Sequence, residues 1–197
     1  MGCAGEEYFY GINTMAKKLN LGCGTDIKKG WVNLDSSGLP GVDVVHDLTK
    51  LPLPFADNTF DEILCQDILE HIPEYEEVLK DLHRILAPGG AVHIRVPHFT
   101  SKNNFTDPTH RRMFSTNTFD FFTRGTRWHK ARHYYFDFSF SEIPSLQLTF
   151  ELSSRAFFYN KLIAKLFNKN RHRLSYYEST MFSRLFPAVN ILVTLKK

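Results

Sequence analysis

The chain has 197 residues, of which 43% are hydrophobic, 23% charged and 14% aromatic. This size and mixture are typical of one globular domain with a full core. No apolar run approaches the roughly 18 residues that a transmembrane helix needs, which excludes a membrane-spanning segment. The three cysteines (Cys3, Cys23 and Cys65) are an odd number without metal-type spacing. They argue against a disulfide framework and a zinc site, and they favour a reducing, cytoplasmic location.

The formal net charge of +3 hides an asymmetry along the chain. Residues 1–100 contain 8 Lys and Arg against 15 Asp and Glu, whereas the remaining residues contain 16 against 6. Such a division indicates that the basic half faces something anionic, although a solvated basic surface explains it equally well.

The first hundred residues alternate strand-like and helix-like segments. Short apolar or β-branched runs predict strands at Lys18–Leu21, Trp31–Leu34, Val42–Val45, Glu62–Cys65 and Ala91–Val96. Apolar residues at helical spacing predict a helix from Pro73 to Leu86, which Pro88-Gly89-Gly90 ends. Strands alternating with crossovers predict a parallel sheet with covered faces, and hence an α/β fold.

The pattern changes after residue 97, where Phe, Tyr, His and Arg replace most aliphatic residues. We expect residues 1–16 to be a leader of uncertain order and residues 17–197 to form one domain. An aromatic and basic, lid-like insertion with short helices would occupy about 98–145. Further elements are expected at Leu146–Leu152 (strand), Phe157–Phe167 (amphipathic helix) and Asn190–Leu195 (last strand).

A glycine turn directly after the first strand is the sharpest local signal. Gly22-Cys23-Gly24 allows a tight bend and lets a ligand approach the backbone without meeting a Cβ atom. Thirteen residues after Gly22, Asp35 ends the second strand, where a carboxylate can accept hydrogen bonds from both hydroxyls of a ribose. The pair therefore indicates a site for a nucleoside-containing cofactor, although a purely structural turn stays open as an alternative.

Phosphate-binding motifs do not fit this turn. The P-loop spacing fails, and the dinucleotide fingerprint has Ile27 at its third glycine. Only Thr25 to Gly30 separate the turn from the next strand, too few for a helix whose N-terminus faces a pyrophosphate. A nucleoside without phosphates is therefore favoured.

Motifs in the first hundred residues resemble those of class I S-adenosylmethionine-dependent methyltransferases of the small type-11 group. They occur in family order as Leu19-Asn20-Leu21-Gly22-Cys23-Gly24, Gly30-Trp31-Val32-Asn33-Leu34-Asp35, His46-Asp47-Leu48, Leu53-Pro54-Phe55, Phe60-Asp61-Glu62-Ile63-Leu64, Leu69-Glu70-His71-Ile72 and Leu86-Ala87-Pro88-Gly89-Gly90. The resemblance implies a Rossmann-like sheet of seven mostly parallel strands, the last antiparallel, with helices on both faces and a shortened first helix.

The resemblance also implies S-adenosyl-L-methionine as cofactor and S-adenosyl-L-homocysteine as product. Gly22, Cys23 and Gly24 would pass beside the methionine part, Asp35 would hold the ribose, and Asp47 with Leu48 would frame the adenine. Gln66 and Asp67 would lie near the methionine part or the transferred methyl group. Asn20 is assigned to the same site, although many relatives carry an acid there; Asp26 stands where a third glycine is usual.

A polar cluster after the fifth strand is the candidate acceptor site. His98 and His110 are the candidate catalytic residues, because the pKa of histidine suits a general base. His98, Asp107, His110 and Arg111 are the candidate acceptor contacts, with the arginine binding an anion. A helix start with Asp107 as N-cap is the structural alternative.

Three other functional interpretations have weaker support in the sequence. His129 and His133 could share a helical face and bind a metal with Asp107 or His110, but we expect no metal site. Nucleic acid is unlikely as a partner and is left open on charge alone. The basic helix at Phe157–Phe167 packs on the sheet or, as the alternative, makes peripheral membrane contact.

The sequence thus predicts a methyltransferase that acts by in-line displacement on a small-molecule or glycan acceptor, expected to be anionic. The alternatives are a degenerate S-adenosylmethionine-binding module without turnover and an RNA methyltransferase. The sequence gives no oligomeric state.

Overall fold

The computed structural model of the protein describes residues 17–151 and 157–197. The leader expected at residues 1–16 lies outside the described residues. No helix in the described part is long and apolar enough to cross a membrane.

Seven strands form one sheet in the order β3-β2-β1-β4-β5-β7-β6. They are β1 (Lys18–Leu21), β2 (Val32–Asp35), β3 (Val44–Val45), β4 (Phe60–Gln66), β5 (Leu86–Pro97), β6 (Glu142–Phe150) and β7 (Ala188–Lys196). β7 runs antiparallel to both of its neighbours, and the other pairs are parallel. The predicted α/β sheet with an antiparallel last strand is confirmed.

The strand order reverses between β1 and β4, because the chain first builds outward to β3 and then returns to the other side of β1. Ligands of open α/β sheets bind at such a switch point, outside the carboxyl ends of the strands. Gly22 follows β1 there, and Asp67 follows β4. The fold therefore brings the glycine turn and the residues after β4 to one sheet edge.

The link from β1 to β2 contains turns alone in place of a helix. The ten residues from Gly22 to Trp31 are too few for a helix that covers the sheet. The first helix, which we expected to be short, is therefore absent from this link. Hydrogen bonds from Asp26 N to Cys23 O (2.8 Å) and from Trp31 N to Lys28 O (3.2 Å) close the turns.

Helix α1 (Tyr75–Ile85) crosses from β4 to β5, close to the predicted boundaries. Its buried side includes Val78, Leu79, Leu82 and Ile85, which belong to the same core cluster as the inner residues of the strands. The opposite face of the central strands is half-buried and more polar, so the described helices do not cover it fully.

The segment after β5 contains short helices, as predicted. These are α2 (Asn103–Thr106), a 3-10 helix (Thr118–Phe122) and α3 (Arg127–Arg132). Four phenylalanines of this segment are at most 1% exposed, namely Phe114, Phe119, Phe122 and Phe140. Tyr75 of α1 meets the ring of Phe114 edge-on at 5.3 Å, so the aromatic residues fasten this segment to the first crossover helix.

Three further helices precede β7: α4 (Phe157–Phe167), α5 (Arg171–Ser179) and α6 (Phe182–Leu185). α4 has the predicted boundaries. Its Ile163 and Phe167 are buried in the core, whereas Leu162 is 53% exposed and Leu166 is 39% exposed. The helix therefore packs on the protein and also presents an apolar strip outward, so membrane contact stays a prediction.

Candidate functional site at the carboxyl edge of the sheet

The glycine turn is joined to Asp35 by a hydrogen bond. Gly24 N donates to Asp35 Oδ2 at 2.8 Å, and Ser37 N donates to Asp35 Oδ1 at 2.9 Å. A carboxylate has about four lone-pair sites, so each oxygen can accept one more hydrogen bond. Asp35 is half-buried and held in one orientation, which suits a carboxylate that binds a pair of vicinal hydroxyls.

Both glycines of the turn have a positive φ, but their surroundings differ. At Gly22, with φ of 62°, a Cβ atom would lie 2.1 Å from Ile68 Cδ1, so a larger residue would have to displace the Ile68 side chain. At Gly24, with φ of 48°, a Cβ atom would meet nothing within 4 Å. Packing against Ile68 therefore favours glycine at Gly22, whereas Gly24 exposes its backbone to open space.

Cys23, between the glycines, contributes mainly through its backbone. Its N–H donates to Leu34 O at 3.0 Å, and its side chain is 5% exposed. Burial, together with the neighbouring Asp35 carboxylate, raises the pKa of the Cys23 thiol above its ordinary value. The thiol stays protonated and packs in the interior.

The buried Asn20 side chain stabilises the glycine turn by hydrogen bonds. Its side-chain amide donates to Asp26 O at 2.7 Å and to Asn33 Oδ1 at 3.1 Å, and the residue is 4% exposed. Both amide hydrogens are thus used within the protein. The assignment of Asn20 to the cofactor site remains a prediction, and its placement favours a supporting role there.

Asp47 and Leu48 follow β3 at the same edge. Thr49 donates to Asp47 Oδ1 from its backbone N–H (2.9 Å) and its hydroxyl (2.8 Å), and these bonds lower the pKa of Asp47. The carboxylate is therefore ionised near neutral pH, and Oδ2 remains available to accept from a ligand. Leu48 is buried beside it.

The residues after β4 are tied to β5. Asp67 has an unusual positive φ of 54° and accepts from Arg95 on both carboxylate oxygens: Nε donates to Oδ1 (3.0 Å) and Oδ2 (2.9 Å), and Nη2 also donates to Oδ2. Gln66 pairs with Arg95 in the sheet and lies on the half-buried face. Arg95 was not identified from the sequence, because only the strand register shows that it faces Asp67.

A cavity of about 420 Å³ opens beyond the ends of β4 and β5. Its lining includes Asp67, Glu70, His71, Arg95, Asp107 and His110. The His71 and His110 rings meet edge-on with centroids 4.7 Å apart. Arg111 N donates to Glu70 O at 2.8 Å, and this bond holds the segment after β5 against the one after β4.

The two candidate catalytic histidines occupy different environments. His98 is fully buried, with Nε2 3.0 Å from Glu178 Oε1 and Nδ1 2.7 Å from Thr100 Oγ1. Both of its ring nitrogens are engaged inside the protein. His110 lines the cavity, and its buried Nδ1 has no hydrogen-bond partner. The geometry thus favours His110 over His98 as a group that meets an acceptor.

Asp107 also lines the cavity and accepts from Thr109 N (2.8 Å) and Thr109 Oγ1 (2.6 Å). The Arg111 side chain is exposed, and it is absent from the lining of this cavity. His129 lies on α3, and His133 follows its end. Neither belongs to a cluster of three metal-ligating side chains in the described part of the chain.

The motifs that resemble a methyltransferase lie in the part of the chain that a known family model matches. A family model described as "Methyltransferase domain" matches residues 2–94, just under half of the chain. The structure of a SAM-dependent methyltransferase from Archaeoglobus fulgidus aligns with 93% of this chain and 87% of its own, with a TM-score of 0.59 and 16% identity. One from Mesorhizobium loti covers 92% and 91%, with a TM-score of 0.51 and 15% identity.

The matched segment and the shared fold support the resemblance to class I S-adenosylmethionine-dependent methyltransferases. A relative named demethylmenaquinone methyltransferase, from Geobacillus stearothermophilus, is 38% identical over 64 residues. That match covers 32% of this chain and 27% of the relative, so the chain spans about a quarter of the curated relatives that it matches.

The residues at the switch point of this methyltransferase fold fit the family cofactor, S-adenosyl-L-methionine. The open space in front of Gly24 admits a ligand against the backbone, and the fixed Asp35 carboxylate retains acceptor capacity for ribose hydroxyls. Bound there, the cofactor supplies an electrophilic methyl group on a sulfonium. The short β1–β2 link leaves no helix N-terminus for a pyrophosphate, which agrees with a cofactor that carries none.

Proposed function

We propose that the protein transfers the methyl group of S-adenosyl-L-methionine to an oxygen of a small-molecule acceptor bound in the 420 Å³ cavity. The observation that carries the proposal is position: the cavity shares Asp67 with the segment after β4, at the switch point that also bears the glycine turn. An acceptor in this cavity therefore lies beside the expected methyl position.

Methyl transfer from a sulfonium is an in-line displacement that disperses positive charge, so the protein need not provide a nucleophile. Holding the acceptor and the methyl group in line is worth on the order of 7–11 kcal/mol of the barrier. The Asp67–Arg95 pair stiffens one wall of the cavity for this purpose. Glu70, His71 and His110 are the lining groups able to contact an acceptor hydroxyl.

The acceptor class follows from a second, larger cavity. It has a volume of about 700 Å³, shares Asn103 with the first, and is lined in part by Phe150, Tyr159, Leu185 and Phe186. This arrangement supports an acceptor with a polar reactive end and an apolar remainder. The name of the Geobacillus stearothermophilus relative makes demethylmenaquinone the first acceptor to test.

An anionic or glycan acceptor stays a prediction. Arg95, the cationic side chain among the described lining residues of the smaller cavity, is already neutralised by Asp67. The cavity alone thus supports a hydroxyl better than a phosphate. A cytoplasmic location is supported by Cys23 and Cys65, which are both buried and unpaired. An RNA acceptor and peripheral membrane contact also stay predictions.

The proposal is tested by measuring S-adenosylhomocysteine formation with quinols and phenols, sugars and sugar phosphates, and RNA as separate acceptors. We expect turnover with the first group and its loss in Asp35→Ala. The alternative is a binding module without turnover, which the internal engagement of Asn20 favours. Tight cofactor binding with no product from any acceptor would support that alternative.

A further inference from the structure

Three side chains with metal-ligating atoms meet at the wall of the acceptor cavity. Glu70, His71 and His110 each offer one ligand atom, and these atoms all lie within 4.8 Å of one another. Glu70 and His71 come from the segment after β4, and His110 comes from the segment after β5. The cluster therefore forms only when the two segments pack together.

Glu70 has no hydrogen-bond partner for its charge. The residue is 0% exposed, and neither carboxylate oxygen has a hydrogen-bond partner among the described residues. An unpaired buried carboxylate costs several kcal/mol, so such groups are normally paired or coordinate metals. A bound cation would supply the missing partner.

The hydrogen bonds of His71 leave Nε2 as its free nitrogen. Thr109 Oγ1 donates its proton to Asp107 Oδ1 (2.6 Å), so it can only accept from His71 Nδ1, which lies 2.8 Å away. The proton is thereby fixed on Nδ1, and the lone pair stays on Nε2. Metal-binding histidines usually donate their second N–H to a carboxylate or another acceptor in this way.

His110 offers the third ligand. Its Nδ1 is buried and has no hydrogen-bond partner in the described part of the chain.

We propose that Glu70, His71 and His110 bind a divalent transition-metal ion, with zinc as the best fit, and leave one coordination position open to the cavity. Two imidazoles and a carboxylate are a donor set of catalytic zinc sites, in which water or substrate occupies the fourth position. Bonds of about 2.0–2.2 Å place tetrahedral ligand atoms roughly 3.4 Å apart. The ligand atoms lie within 4.8 Å of one another, so binding an ion requires them to close by up to about 1.4 Å.

The consequence for the acceptor depends on the proposed function. An acceptor oxygen in the fourth position would lose its proton to water in the open cavity, because the ion stabilises the resulting anion. It would then form the new C–O bond while the C–S bond of the cofactor breaks and its electron pair returns to sulfur. The ion would also supply the positive charge that an anionic acceptor needs and that the paired Arg95 does not.

The test uses metal-free full-length protein titrated with cobalt(II) and, in competition, with zinc(II). We expect one cobalt per chain with the visible absorption of a four- or five-coordinate N₂O site, and displacement of cobalt by one zinc. Glu70→Gln and His110→Ala should each weaken cobalt binding at least tenfold. The double variant His129→Ala/His133→Ala removes two imidazoles elsewhere and should bind as the parent does.

Thermal unfolding of the metal-free variants shows whether each is folded before its affinity is compared. Absence of the cobalt spectrum in the folded parent, or parental affinity in both site variants, would overturn the proposal. So would loss of binding in the His129/His133 double variant alone. Calorimetry with S-adenosylhomocysteine reports separately on the proposed function: cofactor binding without cobalt binding rejects only the metal site, whereas the reverse rejects only the methyltransferase proposal.

Discussion

The backbone N–H of Gly24 donates a 2.8 Å hydrogen bond to the carboxylate of Asp35, which joins the turn after β1 to the end of β2. The Asp35 carboxylate therefore fixes the glycine turn and can still accept hydrogen bonds from the hydroxyls of a ribose. The cofactor site is therefore partly organised by the protein before any ligand enters.

Replacing Asp35 by Asn should weaken S-adenosylhomocysteine binding about 10–100-fold, because hydrogen bonds to a charged group contribute about 1.5–3 kcal/mol. Isothermal titration calorimetry measures the change. Asp26→Asn is the matched control, since that carboxylate lies on the same turn, is largely exposed and pairs with Lys28. Equal losses in the two variants would mean that general charge, and not the Asp35 position, holds the ligand.

Gly22→Ala and Gly24→Ala should separate folding from binding. Both force a left-handed conformation on alanine, at about 1–2 kcal/mol, but only the first places a Cβ atom 2.1 Å from Ile68 Cδ1. We expect Gly22→Ala to lower the free energy of unfolding by about 2–4 kcal/mol. Gly24→Ala should lose less stability and more cofactor affinity. Urea denaturation with calorimetry distinguishes them, and the opposite ranking of the two stabilities would contradict the assignment.

Glu178→Ala should destabilise the protein by about 2–4 kcal/mol, because it leaves buried donors without an acceptor. The carboxylate accepts from Thr116 N at 2.6 Å and Thr116 Oγ1 at 2.8 Å, and it contacts His98 Nε2 at 3.0 Å. Glu151→Ala removes an exposed ion pair with Lys102 and should change stability by less than about 1 kcal/mol. Chemical denaturation of both variants gives the comparison, which fails if the two losses are equal.

His83 should make stability depend on pH. Burial against Phe138 and Phe140, with Lys197 nearby, lowers the pKa of His83 in the folded protein. Below the unfolded pKa, about 6.5, the unfolded chain binds the proton more readily. The contribution of a neutral His83 is therefore complete above that pH and declines as the pH falls below it.

His83→Gln should accordingly reduce the loss of unfolding free energy between pH 7.5 and pH 5.5. Urea denaturation at several pH values in this range measures the slope. His172→Gln, at an exposed position on α5, controls for removing an imidazole from the surface. An unchanged pH slope in His83→Gln would contradict the prediction.

Local patterns predicted most of the sheet and the first crossover. The apolar spacing of α1 and the boundaries of α4 are strong periodic signals, and both helices lie where the sequence places them. α5 was not predicted, because only Leu174 and Tyr177 are buried on it and the helix lacks an apolar stripe. β5 also begins earlier than expected, since Leu86 pairs with Phe60 before the register shifts.

The sequence by itself determined the glycine turn, the acid thirteen residues later and the order of the family motifs, because these depend on local backbone chemistry and short spacing. Tertiary packing alone decided that His98 is enclosed by Glu178 and Thr100, while His110 meets Glu70 and His71. Glu178 lies 80 residues from His98 in the chain, and Glu70 and His71 lie 40 and 39 residues from His110. Strand order and register decide which side chains are buried together. No local sequence pattern encodes strand order or register.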